Sequence, residues 1–232
     1  MSARLASFRG PSTPTSSPAQ HRPQNPPASP SRATESTYHR KTRTLLQELR
    51  AITDTWEDLV LIDGLKAVRE LVDTRTDLEN ALKLLPDGTP RARMVLPKLA
   101  VMDGCIERLD VVLLKLRKQF ARMNSVVDNL EAVLIDATKV KGWKWVQQEP
   151  LWVTWSLENF VTRVPAVLKP YHRSLALHAE LVDELRSHTI TFERSREIVN
   201  KWVEQPWLED AGWEVAWEDI CEAEVERWGG AA

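Results

Sequence analysis

The sequence predicts an all-α fold, in which an elongated helical bundle is built on one long central helix and follows a disordered N-terminal tail. The first observation is that apolar residues recur every three or four positions from about residue 45 onwards, which is the period of an α-helix. The second is that no segment alternates apolar and polar residues in the manner of a β-strand. The third is an abrupt change of composition near residue 38, where a Pro- and Ser-rich segment gives way to the helical pattern.

The overall composition is that of a soluble globular protein, because 43% of the 232 residues are hydrophobic and 28% are charged. The net charge of −2 conceals an asymmetry, since residues 1–43 carry seven basic residues and one acid, whereas residues 204–232 carry nine acids and one base. The basic end either contacts RNA, DNA or an acidic protein surface, or it only keeps the tail soluble. No apolar run reaches the roughly 18 residues that a membrane-spanning helix needs, so no membrane partner is predicted.

Residues 1–38 are predicted to be a disordered tail. Half of the chain's fourteen prolines lie there, and the segment has too little apolar area to offset the entropy of ordering it. Thr13, Ser17 and Ser29 each precede a proline, which makes them candidate phosphorylation sites, although such pairs are common in any tail of this composition. A phosphate at these positions would reduce the positive charge of the tail.

The remaining residues, 39–232, are predicted to form one helical domain. Its first part, residues 39–137, holds a helical hairpin that includes the long helix. Its second part, residues 150–228, is rich in tryptophan.

The pattern over residues 40–84 predicts either two helices or one kinked helix. Gly64 weakens the middle of this region, because glycine destabilises a helix interior. The apolar positions before it are Leu45, Leu49, Ile52, Trp56 and Leu59. The sequence Leu-Pro-Asp-Gly at residues 85–88 predicts the turn that ends the region.

The clearest element is the long central helix, in which apolar residues follow one another at spacings of three and four over 39 residues. The apolar series of the long helix consists of Leu96, Leu99, Met102, Ile106, Leu109, Leu113, Leu116, Phe120, Met123, Val127, Leu130 and Leu134. A helix with this repeat packs against other helices along most of its length. Its partners belong either to the same chain or to a second chain.

Four basic residues of the long helix lie outside the apolar series. They are Lys115, Arg117, Lys118 and Arg122. They either present positive charge to RNA or an acidic protein, or they form an ordinary solvated face.

Four of the ten tryptophans lie in the segment GWKWVQQEPLWVTW, from Gly142 to Trp155. The segment contains Gly142 and Pro150, which predicts a break between helices over residues 139–150. Trp143 and Trp145 lie on this connection, where they either cap the end of the bundle or anchor a partner. Trp152 is predicted to begin the next helical face together with Trp155, three positions later, and both are assigned to the core or to a seam between helices.

The acidic C-terminal region leaves the same two interpretations open. Trp213 and Trp217 lie four positions apart on a predicted helix. They either close the bundle by packing against other helices or dock on a basic partner protein.

No motif in the sequence indicates catalysis or a bound cofactor. The five histidines and two cysteines do not have the spacing of a zinc site, and there is no Gly-x-Ser-x-Gly element or phosphate-binding loop. We therefore predict no catalytic residue, metal or cofactor. Cys105 and Cys221 fall on or beside apolar helical faces and are predicted to be buried, reduced thiols.

Three stretches of the chain together resemble a known family. They are LRAITDTWEDL in the first helical region, MVLPKL at the head of the long helix, and IVNKWVEQPWLEDAGWEVAW near the C-terminus. This arrangement resembles the small helical cofactor that cooperates with a hexameric AAA ATPase in maturing the large ribosomal subunit. The Pro-rich tail and the GWKW connection depart from that pattern. The resemblance implies a nuclear or nucleolar adaptor, otherwise cytoplasmic, whose partner is the AAA ATPase or a pre-ribosomal particle.

The predicted function is that of a non-catalytic helical adaptor, with RNA contact through the basic tail as a further expectation. One alternative is a coiled-coil subunit of a kinetochore or tethering scaffold, in which the apolar series pairs with another chain. A second alternative is a helical bundle that binds a small ligand in a tryptophan-lined pocket.

Overall fold

The computed structural model describes residues 35–86, 88, 90–187 and 189–226. Within these residues the chain is helical, and its one strand-like feature is an isolated antiparallel bridge between Pro150 and Ser156. The prediction of an all-α fold built on one long central helix is confirmed. Thr13, Ser17 and Ser29, with the part of the predicted tail that contains them, lie outside the described residues.

The first helical run comprises α1 (Thr37–Asp58), a π-helical segment (Leu59–Gly64) and α2 (Leu65–Lys83). The interruption predicted at Gly64 is therefore a change of helix type, because the chain remains helical through it. Trp202 accompanies this change, since its Nε1–H donates to the carbonyl oxygen of Val60 at 3.0 Å. A π-helical turn leaves carbonyl groups out of the regular i to i−4 ladder, which makes such an outside contact available.

The central helix, α3 (Ala92–Lys141), has 50 residues. At 1.5 Å per residue it is about 75 Å long. It therefore extends beyond both ends of the predicted 39-residue series. It ends at Gly142, whose φ of 86° lies in the left-handed region that glycine adopts without a steric penalty.

Shorter helices follow Gly142. They are α4 (Trp143–Gln148), α5 (Leu157–Arg163), a 3₁₀ turn (Val164–Val167), α6 (Leu168–Leu185) and α7 (Phe192–Glu204). The last described residues form a π-helical segment (Glu214–Glu218), α8 (Asp219–Cys221) and a second π-helical segment (Glu222–Glu226). Ser156 and Thr191 cap α5 and α7, because their hydroxyl oxygens accept hydrogen bonds from the backbone N–H groups of Asn159 and Arg194, three residues later.

Two predictions for the tryptophan-rich connection are wrong. The break predicted over residues 139–150 is reduced to a turn at Gly142, after which α4 begins at once. Trp152 and Trp155 do not begin a helical face, because they lie in the irregular segment before the Ser156 cap of α5. Trp152 is nevertheless buried, and Trp155 packs against the core, because the segment lies against the bundle.

The long helix α3 lies against α1, α2 and α6, and α7 packs against α2. These neighbours cover most of the apolar series, so that Leu109, Leu116 and Met123 have no exposed surface. Leu96 at the start of the series is exposed. The question of whether the series is covered by the same chain or by a second one is therefore decided in favour of the same chain.

Both cysteines are buried in the interior, as predicted. None of the helices in the described part of the chain is both long enough and apolar enough to span a membrane.

Candidate functional site

An open cleft lies where α1, the end of α7 and the first C-terminal π-helical segment meet. Its volume is about 380 Å³. Thr53 and Trp56 line it from α1, Tyr171 lines it from α6, and Trp213 lines it from the C-terminal region. Packing of elements from both ends of the domain therefore creates the cleft.

Carboxylates surround this acidic cleft. They belong to Asp54, Glu57, Glu204, Glu209, Glu214 and Glu218. Among the described residues that line it, none is a Lys, Arg or His. Of the six carboxylates, Glu218 alone forms an ion pair with a described residue, from Arg50 Nη2 at 2.7 Å. Burial raises the pKa of Glu57, and the neighbouring charges of Glu214 and Asp54 raise it further, which shows that negative charge is concentrated here.

The bottom of the cleft is aromatic. Trp56 and Trp213 have only 1% and 2% of their surface exposed, and Tyr171 is buried beside them. The rings of Trp56 and Tyr171 meet edge to face, with centroids 5.2 Å apart. Val203 and Val215 are exposed at the opening. The cleft therefore offers apolar surface below a negatively charged rim.

Three buried polar atoms of cleft residues have no hydrogen-bond partner in the described part of the chain. They are Nε1 of Trp56, Nε1 of Trp213 and Oε1 of Gln205. A buried polar group without a partner costs roughly 1–3 kcal/mol, so such groups are rare in folded proteins. The two indole N–H groups require an acceptor, and the amide oxygen requires a donor.

Gln205 also has an unusual backbone conformation. Its φ of 42° and ψ of 57° place it in the left-handed region, where it ends α7. Residues other than glycine adopt this conformation at a cost, and such positions cluster at ligand-binding sites. The strained backbone and the unpartnered side-chain atom therefore occur at the same residue.

These features define the ligand chemistry that suits the cleft. The carboxylates can bind a cationic group, and the apolar lining can accept aliphatic or ring carbons. A peptide segment with Arg or Lys side chains combines both. In the described residues no group of three or more His, Cys, Asp or Glu side chains is arranged to hold a metal ion.

Trp213 and Trp217, for which the sequence left core packing and partner docking open, are both buried. Their rings stack with centroids 6.3 Å apart, and Trp217 also meets Trp155 edge to face at 5.6 Å. Trp213 lines the cleft, whereas Trp217 does not. Partner binding by Trp213 and Trp217 stays a prediction. Of the two, Trp213 lies in the lining of the cleft, where a partner would bind.

Trp143 and Trp145 lie in different environments on α4. Trp145 is half-buried, and its ring lies 5.8 Å from that of Tyr38 and 6.4 Å from that of His39. It therefore covers the N-terminal end of α1. Trp143 remains 57% exposed and keeps its predicted role as a partner anchor.

The predicted basic face of α3 is exposed but partly neutralised within the chain. Lys115 contacts Asp63 at 3.3 Å, and Arg122 contacts Glu48 at 3.5 Å. Arg117 is exposed. Lys118 is exposed too. These four residues lie on α3, are not among the residues that line the acidic cleft, and stay a separate predicted contact surface.

Sequence reasoning did not identify Trp56, Glu57, Tyr171 or Gln205 as site residues. The stretch TDTWEDL already places Trp56 among acids, and the C-terminal region is acidic throughout. That local signal was present, but the packing of α1 against the C-terminal region is what assembles the cleft.

No protein-family model matches the chain, and no curated protein matches it. The geometry of the cleft is therefore the main support for a function.

Proposed function

We propose that this protein is a non-catalytic helical adaptor whose acidic cleft binds a basic segment of a partner protein. The observation that carries the proposal is the combination of a carboxylate rim with a buried tryptophan floor. Binding surfaces commonly place buried aromatic residues at the centre and charged residues around them. The negative charge of the rim also accelerates the encounter with a basic partner.

The test compares two double variants of the full chain as bait in affinity purification. Glu57→Gln/Glu214→Gln removes two carboxylates of the cleft, while Glu107→Gln/Glu180→Gln removes two exposed carboxylates elsewhere. We expect the cleft variant to recover the main partner at least about tenfold less well than the wild type, because each charge-assisted contact contributes roughly 1.5–3 kcal/mol. The control variant should recover it normally. Equal recovery by both variants would contradict the proposal.

We further propose, from the resemblance described above, that the partner belongs to the machinery of large-subunit maturation. In this setting an AAA ATPase supplies the ATP chemistry, and the protein acts in the nucleus or nucleolus. Mass spectrometry of the same purifications tests this setting. We expect pre-ribosomal proteins and a AAA ATPase among the recovered proteins, and their consistent absence would argue for a different process.

The cleft also supports one of the two alternatives, a small ligand in a tryptophan-lined pocket, because Trp56 and Trp213 are among the residues that line it. A screen of tryptophan fluorescence against a set of small cationic metabolites tests it. Saturable quenching that Glu57→Gln/Glu214→Gln abolishes would favour a metabolite over a protein segment.

The scaffold alternative has less support, because α1, α2 and α6 cover the apolar series of α3. We expect the purified full chain to be a monomer that melts cooperatively. Light scattering coupled to size-exclusion chromatography would reveal an obligate dimer instead.

A further inference from the structure

We propose that the acidic cleft is occupied in the free protein by the chain's own N-terminal segment, residues 1–34, which competes there with the basic segment of a partner. The inference rests on the proposed function, because it assigns an occupant to the same cleft. It adds that access to the cleft is regulated from within the chain.

The first argument is charge complementarity. Residues 1–34 contain four arginines, Arg4, Arg9, Arg22 and Arg32, and no Asp or Glu. The described lining of the cleft has six carboxylates, of which Glu218 is paired with Arg50, and no basic residue. A guanidinium group forms two parallel hydrogen bonds with a carboxylate and remains charged at every physiological pH. The segment and the cleft therefore have opposite charge and matching hydrogen-bonding groups.

The second argument is that the segment is rich in proline, which suits the bottom of the cleft. Seven of the chain's prolines lie in residues 1–34. Pro-rich segments adopt the polyproline II conformation, whose carbonyl groups make no internal hydrogen bonds, and they dock on grooves lined by aromatic residues. Trp56, Tyr171 and Trp213 are the aromatic residues among those that line the cleft.

The third argument is reach. The segment joins the fold just before Thr37, and the cleft residues Thr53 and Glu57 lie 16 and 20 positions further along the same helical run. At 1.5 Å per residue these distances are about 24 and 30 Å. A flexible chain of about 28 residues, which is the separation of Arg9 from Thr37 in the sequence, would have an r.m.s. end-to-end distance of roughly 29 Å. A tether whose r.m.s. length matches the span gives the highest effective concentration, on the order of 1 mM.

The candidate phosphorylation sites make this contact adjustable. Thr13, Ser17 and Ser29 lie between the arginines. Each phosphate adds about −1.5 to −2 charges, so that three of them cancel the positive charge of the segment. Phosphorylation would then release the segment from the carboxylates and open the cleft to a partner.

The experiment measures binding of a fluorescein-labelled synthetic peptide with the sequence of residues 1–34 to three full-length proteins. They are the wild type, a variant with Arg4, Arg9, Arg22 and Arg32 replaced by Gln, and that same variant with Glu57→Gln/Glu214→Gln added. Fluorescence anisotropy gives the Kd. The Glu107→Gln/Glu180→Gln changes, added to the tail variant, serve as the matched control.

We expect the tail variant to bind the peptide about tenfold more tightly than the wild type, because its cleft is no longer occupied. A Kd on the order of 100 μM for the open cleft against an effective concentration of about 1 mM gives this factor. The added cleft changes should weaken binding at least about tenfold, and the control changes should not. Thermal melting of each variant confirms that it is folded.

Equal affinity of the wild type and the tail variant would overturn the occupancy by residues 1–34. Failure of the tail variant to bind the peptide, or binding that the cleft changes leave intact, would overturn it as well. A different result would contradict the proposed function, namely normal recovery of partners by the Glu57→Gln/Glu214→Gln variant in affinity purification. The two failures are therefore distinguishable.

Discussion

At the scale of single residues, Gly64 shows how tertiary packing overrides helix propensity. Propensity favours alanine over glycine in a helix by about 1 kcal/mol. A Cβ atom at Gly64, however, would lie 2.5 Å from Cζ2 of Trp202 and 3.1 Å from the carbonyl oxygen of Leu59. The indole ring of Trp202 is fully buried there and donates a hydrogen bond to the carbonyl oxygen of Val60, so it cannot move aside freely.

We expect Gly64→Ala to destabilise the protein by about 1–3 kcal/mol, because overpacking displaces the Trp202 ring. Gly104 on α3 is the matched control, since a Cβ there meets nothing within 4 Å. Gly104→Ala should stabilise by about 0.5–1 kcal/mol through helix propensity. Chemical denaturation of both variants measures these differences. A Gly64→Ala variant at least as stable as the wild type would show that Trp202 does not constrain position 64.

Glu224 attaches the end of the chain to the tryptophan-rich connection. Its carboxylate is 6% exposed and accepts the backbone N–H groups of Val153, Thr154 and Trp155, with Thr154 N at 2.9 Å. The Thr154 hydroxyl donates to the same carboxylate. Burial by itself raises the pKa of Glu224, but these hydrogen bonds outweigh burial and hold the pKa below its usual value.

Because the pKa of Glu224 is lower in the folded state than in the unfolded state, its ionised form stabilises the fold. That contribution is complete above the unfolded value of about 4.3 and disappears as the pH falls through the folded pKa. We expect Glu224→Gln to cost about 1–3 kcal/mol at pH 7 and much less near pH 3. Urea titrations at both pH values test this, with Glu222→Gln as the exposed control. A loss that does not change with pH would exclude the charged form as the stabilising species.

At the scale of elements, α3 organises the fold through one face. Leu113 and Leu114 are neighbours in sequence, yet Leu113 is 5% exposed and Leu114 is 65% exposed. The rotation of about 100° per residue in an α-helix separates them. The apolar series of three and four spacings predicted this face correctly, because it contains Leu113 and omits Leu114.

We expect Leu113→Asp to destabilise the protein by at least about 4 kcal/mol and to abolish its cooperative melting, because it buries a charge without a partner and removes apolar contacts. Leu114→Asp should change the free energy of unfolding by no more than about 1 kcal/mol. Circular dichroism during thermal melting distinguishes the two. A robust Leu113→Asp variant would contradict the central position of α3.

The tryptophan-rich connection shows where periodicity fails at the scale of elements. A spacing of three between Trp152 and Trp155 is compatible with a helix, yet both precede the Ser156 cap. Trp152 is buried because its Nε1–H donates to Glu35 at 3.2 Å and because it meets Phe160 edge to face at 5.6 Å. The segment is irregular, and contacts with residues distant in the sequence therefore hold these rings against the core.

At the scale of the whole molecule, the fold begins earlier than composition indicates. The tail was predicted to extend to residue 38, but α1 begins at Thr37. Glu35 accepts a hydrogen bond from Arg43 at 2.9 Å, and the buried Tyr38 donates to Asp136 at 3.2 Å. These contacts join the start of α1 to the end of α3, so residues 35–38 belong to the folded domain.

We expect deletion of residues 1–34 to lower the Tm by no more than about 4 °C, because loss of a weakly bound segment removes little free energy. Deletion of residues 1–38 should lower it by about 6–15 °C, since it also removes Tyr38 and Glu35. Differential scanning calorimetry of the two proteins gives the comparison. Identical Tm values would show that residues 35–38 do not contribute to the fold.

The sequence by itself determined the helical class, the position of the long helix and the opposite charges of the two ends, because periodicity and composition are local properties. Only the tertiary structure decided that α3 is covered within the chain and that Gly64 must admit Trp202. It also decided that Glu57 and Glu214 share one cleft above Trp56 and Trp213. These outcomes depend on which apolar faces pack together, and many distant pairings are compatible with the same local pattern.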